Sequence, residues 1–228
     1  IAEHHKVIDY GDICNFVGYP ERMTDALQKT VDEILASDTA CFSMGGDHFI
    51  SLPLLRSHVK KFGPLALIHF DAHSDTWVDE DYNHGTMFYH AIKEGLIDTK
   101  HSIQVGLRTP NPETHGIEII FADELDEMKA SEVAERIKKR VGNNNAYLTF
   151  DIDFLDPAYA PGTGTPVSGG PSVIKGRNIL KALVGLNIVG GDLVEIAPAY
   201  DPIGNITAVA GATLGGDILY LISEALRR

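Results

Sequence analysis

Asp71, His73 and Asp75 occupy alternate positions of one segment, Asp71-Ala72-His73-Ser74-Asp75, and Asp151 and Asp153 repeat that spacing in Asp151-Ile152-Asp153. In extended chain, residues two apart point to the same side. Asp71 and His73 therefore face one way, Asp75 follows if the chain stays extended, and Asp151 and Asp153 make a second pair. His48, at the end of Gly45-Gly46-Asp47-His48, adds another imidazole. Each segment follows an apolar run that reads as a strand, so four carboxylates and two imidazoles are expected to converge at strand ends. Four clustered carboxylates repel, which raises their pKa values and costs stability unless cations intervene. Two divalent ions cancel those four charges. A mixed oxygen and imidazole set suits Mn²⁺, Fe²⁺, Co²⁺ or Zn²⁺ better than a thiolate-seeking metal. A carboxylate has two oxygens with which to bridge two ions. Water held between them loses a proton near neutrality and becomes a nucleophile. The expected chemistry is therefore metal-assisted hydrolysis.

Other polar residues read differently. Asp47 and Asp156 sit in loop turns, where an Asp side chain commonly bonds nearby backbone, and both are taken as structural. His69 shares the parity of Asp71 but lies earlier in its strand, so a buried, structural role is expected. His4, His5, His58, His90 and His101 have no polar company and read as ordinary core or surface residues. Glu195 closes a fourth conspicuous strand end, after Gly191-Asp192-Leu193-Val194.

The elements that must position these groups alternate along the chain. Strands are predicted at Val7–Tyr10, Ala40–Met44 (buried), Leu65–Phe70, Ile103–Leu107, Ile117–Phe121, Tyr147–Phe150 and Ile188–Val194. Met23, Leu27, Val31 and Ile34 fall at helical spacing, which predicts a helix over about 21–36. Further helices are predicted over about 49–60, Gly85–Glu94, Ser131–Val141, Ser172–Val184 and Asn205–Leu226. Strand–helix alternation implies an α/β fold, a mainly parallel sheet in a three-layer arrangement with helices on both faces. Sites in such sheets form at the carboxyl ends of strands. The chain has 228 residues and 44% apolar residues, which fits one globular domain spanning 1–228.

Net charge is -13, with no basic stripe, which argues against nucleic acid and for a cationic substrate or bound metal ions. No run of eighteen apolar residues suggests a membrane span. Cys14 and Cys41 have neither CxxC nor zinc-type spacing, so a disulfide framework is not expected and a reducing, cytoplasmic setting is.

GGDH, FDAHSD and TFDIDFLDPAYAPGTGTPVSGG resemble the three signature blocks of the ureohydrolase family, which contains arginases and agmatinases. The likeness runs along essentially the whole chain. HGTMFYHAIKEGLID at 84–98 and VEIAPAYD at 194–201 are similar to the bacterial agmatinase branch in particular. The family usually begins with another strand and a Gly/Arg-rich loop ahead of the segment around Val7, and these are expected to be missing here. The resemblance implies a centre of two Mn²⁺ ions, with Co²⁺, Fe²⁺ or Zn²⁺ open on donor type. One ion would be held by His48, Asp71, Asp75 and Asp151, the other by Asp71, His73, Asp151 and Asp153, with Asp71 and Asp151 shared. It also implies that His84 moves protons, that Glu195 binds a guanidinium, and that Asp75 orients the nucleophile. The implied reaction is hydrolysis of a small cationic guanidino substrate to urea and an amine, in a homo-oligomer of three or six subunits.

The implied substrate is agmatine, giving putrescine for polyamine biosynthesis, rather than arginine. Arginases carry acids after their Leu-Arg dipeptide to read the α-ammonium; here Thr109 and Asn111 stand in Leu107-Arg108-Thr109-Pro110-Asn111. The loop from Thr76 to Asn83 is also short. Asp79, Glu80 or Asp81 could meet the far ammonium. A guanidino acid such as guanidinobutyrate is the alternative, with Arg108 as its carboxylate partner. A metallophosphatase also uses Asp-X-His but pairs it with an Asn-His-Glu block that this sequence lacks. A non-catalytic homologue would have lost ligand positions, and none is lost.

Overall fold

Strand–helix alternation gives strands β1 (Cys41–Met44), β2 (Ala66–Phe70), β3 (Ile103–Leu107), β4 (Glu118–Phe121), β5 (Asn145–Asp151) and β6 (Asn187–Val194). The helices are α1 (Pro20–Ala36), α2 (Ser51–Phe62), α3 (Met87–Lys93), α4 (Ala122–Glu127), α5 (Ala130–Val141), α6 (Val173–Ala182) and α7 (Ile206–Ala225). The structure, a computed structural model, describes residues 5–13 and 18–227. Its sheet has six strands in the order β1-β6-β5-β2-β3-β4, and every pair is parallel.

Side-chain alternation sorts each central strand between two cores. Ala66, Ile68 and Phe70 of β2 and Ala146, Leu148 and Phe150 of β5 pack with α5, α6 and α7. Leu67 and Tyr147 point the other way, against α1, α2 and α3. His69, Asp71, Thr149 and Asp151 continue that second parity, so the polar ends of both strands emerge on the α1–α3 side. Thr24, Leu27, Val31 and Leu35 form the buried stripe of α1 at the helical spacing the sequence predicts.

The sequence reading departs from the structure in several places. Val7–Tyr10 is irregular and exposed, and among the described residues it pairs with no strand. β1 is not buried: it is the sheet edge, and Met44 is 76% exposed. The short acidic helix α4 was not anticipated, since six residues carry too little periodicity to be read. α7 is long and apolar enough to cross a membrane by length and composition, yet half of its most apolar window is buried. It packs on β6 and α6 as a core helix. Asp201 starts that helix, accepting the Thr207 and Ala208 backbone N–H groups at 3.0 Å each.

Candidate active site

β2 ends at Phe70, β5 runs into Asp151, and β1 leads through Gly45-Gly46 to His48. The three strand ends converge. His48 Nδ1 lies 3.3 Å from Asp71 Oδ2, 3.0 Å from Asp75 Oδ2 and 3.1 Å from Asp151 Oδ2. His73 Nδ1 lies 3.3 Å from Asp71 Oδ1 and 3.0 Å from Asp153 Oδ2. Two adjoining donor sets thus share Asp71, which turns one oxygen to each imidazole. All six residues singled out by spacing come together.

Two of them arrive by a different route from the extended chain expected. Four residues of strand span about 13 Å, too far for Asp75 to share a site with Asp71. Asp75 instead takes a left-handed backbone, φ 52°, that folds it back. Asp153 lies in a 3-10 turn, Ile152–Phe154, in which Asp151 Oδ1 accepts its backbone N–H at 2.8 Å.

The residues fit a pair of cations. His48 Nδ1 is buried without a hydrogen-bond partner, and carboxylate oxygens surround it. Burial and the charges of Asp153 and Asp71 hold Asp151 well above the usual carboxylate range. Burial and Asp71 push Asp75 up to about 7, and burial and Asp71 raise Asp153. Burial opposes protonation of the two imidazoles. The adjacent carboxylates of Asp151, Asp71 and Asp75 nonetheless hold His48 well above its ordinary value, and Asp153 and Asp71 lift His73 to about 11. Only Asp71 is held low: burial works against it, and His69, His48 and His73 outweigh burial. Buried carboxylates crowded on two imidazoles call for positive charge, which two divalent ions would supply.

Behind the ligand positions stands a buried polar layer that the sequence reading passed over. His48 Nε2 meets Thr149 Oγ1 at 2.8 Å, and Thr149 donates to Asp192 Oδ1 at 2.5 Å. Asp192, fully buried, also accepts from Ser51 and Tyr147 at 2.8 Å each. His69 is buried as expected but touches the centre directly, its Nε2 2.7 Å from Asp71 Oδ2. The legible signal was an acid or amide inside an apolar strand: Asp192 in β6 and Gln104 in β3.

The open cleft above the cluster, about 220 Å³, is lined by His48, His73, Asp75, Trp77, His84, Gly85, Asp151, Thr165 and Glu195. Thr165 reaches Asp153 Oδ2 at 3.3 Å. Glu195, like Asp75, has a left-handed backbone, φ 62°, which turns it over the end of β6. Its Oε1 accepts the His48 backbone N–H at 2.6 Å, and burial raises its pKa. His84 has Nδ1 3.3 Å from Asp47 Oδ2, and His84, Asp47 and Glu195 each bring a nitrogen or carboxylate oxygen within 4.8 Å of the others. Asp47 therefore has two contacts, since it also caps the following turn through the Phe49 N–H at 2.9 Å.

Other expected roles fall away. Arg108 does not line the cleft: its guanidinium is spent on the carbonyls of Gly106, Asp153, Phe154, Leu155 and Val167, at 2.6–3.2 Å. None of Asp79, Glu80 and Asp81 lines it either, and Glu80 pairs with Lys93 at 3.0 Å. Asp156 is structural, accepting the Ala158, Gly169 and Gly170 N–H groups. Cys14 lies outside the described residues. A second cavity, about 250 Å³, opens at the amino ends of the strands among residues such as Ala40, Asn145 and Asn187, away from the cluster.

Comparison with known proteins agrees with this geometry. The agmatinase of Proteus mirabilis is 50% identical over 222 residues, 97% of this chain and 72% of that protein. The crystal structure of a hypothetical agmatinase from Burkholderia thailandensis superposes with a TM-score of 0.93 at 50% identity, covering 96% of this chain and 70% of that one. The proclavaminate amidino hydrolase of Streptomyces clavuligerus gives 0.85 at 35% identity, covering 94% and 74%. Residues 1–220 match the Arginase family, and the chain belongs to that family.

Proposed function

We propose that this protein is an agmatinase-type amidinohydrolase that hydrolyses agmatine to urea and putrescine. The observation that carries the reading is one cleft in which Glu195 and His84 flank two donor sets sharing Asp71. One set is His48, Asp71, Asp75 and Asp151; the other is Asp71, His73, Asp151 and Asp153. When bound there, two divalent ions supply a nucleophile from water at neutral pH.

The chain's own residues do the rest. Glu195 accepts N–H bonds from the planar guanidinium and fixes its carbon over the centre. Asp75 accepts a hydrogen bond from the attacking oxygen and so aims it. Asp47 accepts from His84 Nδ1–H, which leaves Nε2 to carry a proton to the departing amine nitrogen. The burial of Asp71, Asp151 and Asp153 keeps bulk water from screening these charges.

Arg108 weighs against a guanidino acid, because its donors are committed to backbone and among the described residues no Lys or Arg lines the cleft. Thr109 and Asn111 weigh against arginine: Thr109 bonds the Ala72 carbonyl at 3.2 Å, and Asn111 bonds Ser74 Oγ at 2.7 Å. Neither offers a charge to an α-ammonium. Each lost charge-assisted bond is worth roughly 1.5–3 kcal/mol. Two such losses separate the substrates by a factor on the order of a hundred or more. Manganese as the ion and a trimeric or hexameric assembly rest on the same family likeness, a single domain on length and composition, and a cytoplasmic setting on the cysteine pattern. Urea release by the manganese-loaded protein from agmatine, arginine and guanidinobutyrate tests the reading: agmatine should give the highest kcat/KM, and preference for either other substrate overturns it.

A further inference from the structure

Gln104 is buried in β3 between Ile103 and Val105. Its side-chain nitrogen lies 2.6 Å from the carbonyl oxygen of Ser74 and 2.9 Å from His69 Nδ1. A carbonyl can only accept, so the group facing Ser74 is the amide NH₂, and its second hydrogen points at the ring. Nδ1 therefore accepts. In a neutral imidazole the proton then sits on Nε2, which donates to Asp71 Oδ2 at 2.7 Å. Asp71 Oδ1 meanwhile accepts the His73 backbone N–H at 2.6 Å. Each Asp71 oxygen thus takes one fixed hydrogen bond, which orients the carboxylate plane and leaves a lone pair on each oxygen for a cation. Phe88 packs against the His69 ring edge-on, with centroids 4.7 Å apart, and resists its rotation.

His48, His69, Asp71 and Asp75 are close enough to share an ion by distance alone. His69 is set apart from the other three, because the nitrogen it presents carries a hydrogen. Gln104 is what puts the hydrogen there. The same amide grips Ser74, the residue before Asp75, whose left-handed backbone persists only where neighbours over-determine it.

We propose that Gln104 is a positioning residue of the metal centre, orienting Asp71 through His69 and anchoring the turn that carries Asp75. The proposal rests on the reading of Asp71 and Asp75 as metal ligands. It places the control of two ligands in one uncharged side chain that touches neither ion nor substrate. Partners that stand behind ligands commonly change metal affinity 10–100-fold when removed.

Gln104→Met keeps length and volume but cannot donate. Equilibrium dialysis of metal-free protein against Mn²⁺, with elemental analysis, should show affinity falling on the order of 10–100-fold in this variant. His69→Phe should lose as much. His69→Gln, whose amide donates to Asp71 unaided, should stay within a few-fold of wild type. Ring ¹⁵N spectra of the metal-free wild type should place the His69 hydrogen on Nε2. Manganese uptake by Gln104→Met equal to that of wild type overturns this proposal alone. Wild type that takes up no manganese overturns the metal reading and the proposal with it. Should Gln104→Met not fold, the wild-type ring spectrum decides: a hydrogen on Nε2 supports the proposal, and one on Nδ1 overturns it.

Discussion

His84 touches Asp47 rather than any of the six clustered donors, and that separation makes its role testable. His84→Ala should lower kcat by about 10²–10⁴-fold, the usual scale for a lost proton carrier, and leave ion content unchanged. Steady-state kinetics alongside elemental analysis measures both, and loss of metal from the variant contradicts the assignment. Glu195→Gln should raise KM and lower kcat together, because a neutral amide cannot match the guanidinium's charge. Its backbone should stay put, since the Glu195 N–H to Gly46 carbonyl bond at 2.8 Å is untouched by the change and an amide oxygen can still accept the His48 N–H. Asp75 and Glu195 both hold positive φ, at roughly 1–3 kcal/mol each, and both stand at the cleft. Strain of that kind collects where a side chain must be aimed against the local preference of the chain.

Between elements, small residues and loop anchors decide whether the strand ends meet. Gly106 sits at a bulge in β3, with φ 98° and a register shift against β4. A Cβ there would fall 2.4 Å from the Phe154 ring and 3.0 Å from the Asp71 carbonyl oxygen. Gly106→Ala should therefore destabilise by about 2–4 kcal/mol from overpacking and the disfavoured backbone. That corresponds to a Tm drop of roughly 5–15 °C for a chain of this size, readable by calorimetry. The loop after β5 hangs on Asp156, whose pKa is lowered by the Ala158, Gly169 and Gly170 N–H groups and Arg108. A depressed carboxylate contributes stability that is complete above its unfolded value of 3.8 and is lost as pH falls through the lower folded value. Urea unfolding of wild type and Asp156→Asn should show a clear gap at pH 7 that narrows below about pH 4. Much of this level was legible in the sequence. The parallel sheet and most helix spans follow from strand–helix alternation and helical spacing, and the meeting of His48, Asp71 and Asp151 follows from their places at strand ends, because a parallel sheet leaves its carboxyl ends on one rim. What escaped was geometry off the strand. Five of the six backbone bonds of Arg108 reach partners distant in sequence, which no local pattern encodes, and the left-handed bend at Asp75 and the 3-10 turn at Asp153, held by the Asp151 side chain, leave no trace in strand periodicity. Val7–Tyr10 differs for the opposite reason: its local pattern suits a strand, but among the described residues it joins neither edge of the sheet.

For the whole molecule, the net charge of -13 and the buried acids predict a folded state that bound cations stabilise. Manganese binding only to the folded form at a thousand times its Kd adds about 4 kcal/mol per site. Stripping the protein with a chelator should therefore lower Tm by roughly 8–16 °C for each site emptied, and manganese should restore it. A Tm indifferent to chelation contradicts a metal-filled centre. The strand order carries a further consequence, for assembly. His48 hangs from the end of β1, and among the described residues β1 has one strand neighbour, β6, the last strand in the chain. All six donors precede β6 in sequence, from His48 to Asp153, yet the frame that brings His48 to the others closes only when residues 187–194 slot between β1 and β5. A chain growing from its amino end thus holds every ligand residue long before it holds a site. The strand order predicts that metal capture waits for β6, so that ions would seal an assembled sheet rather than template it.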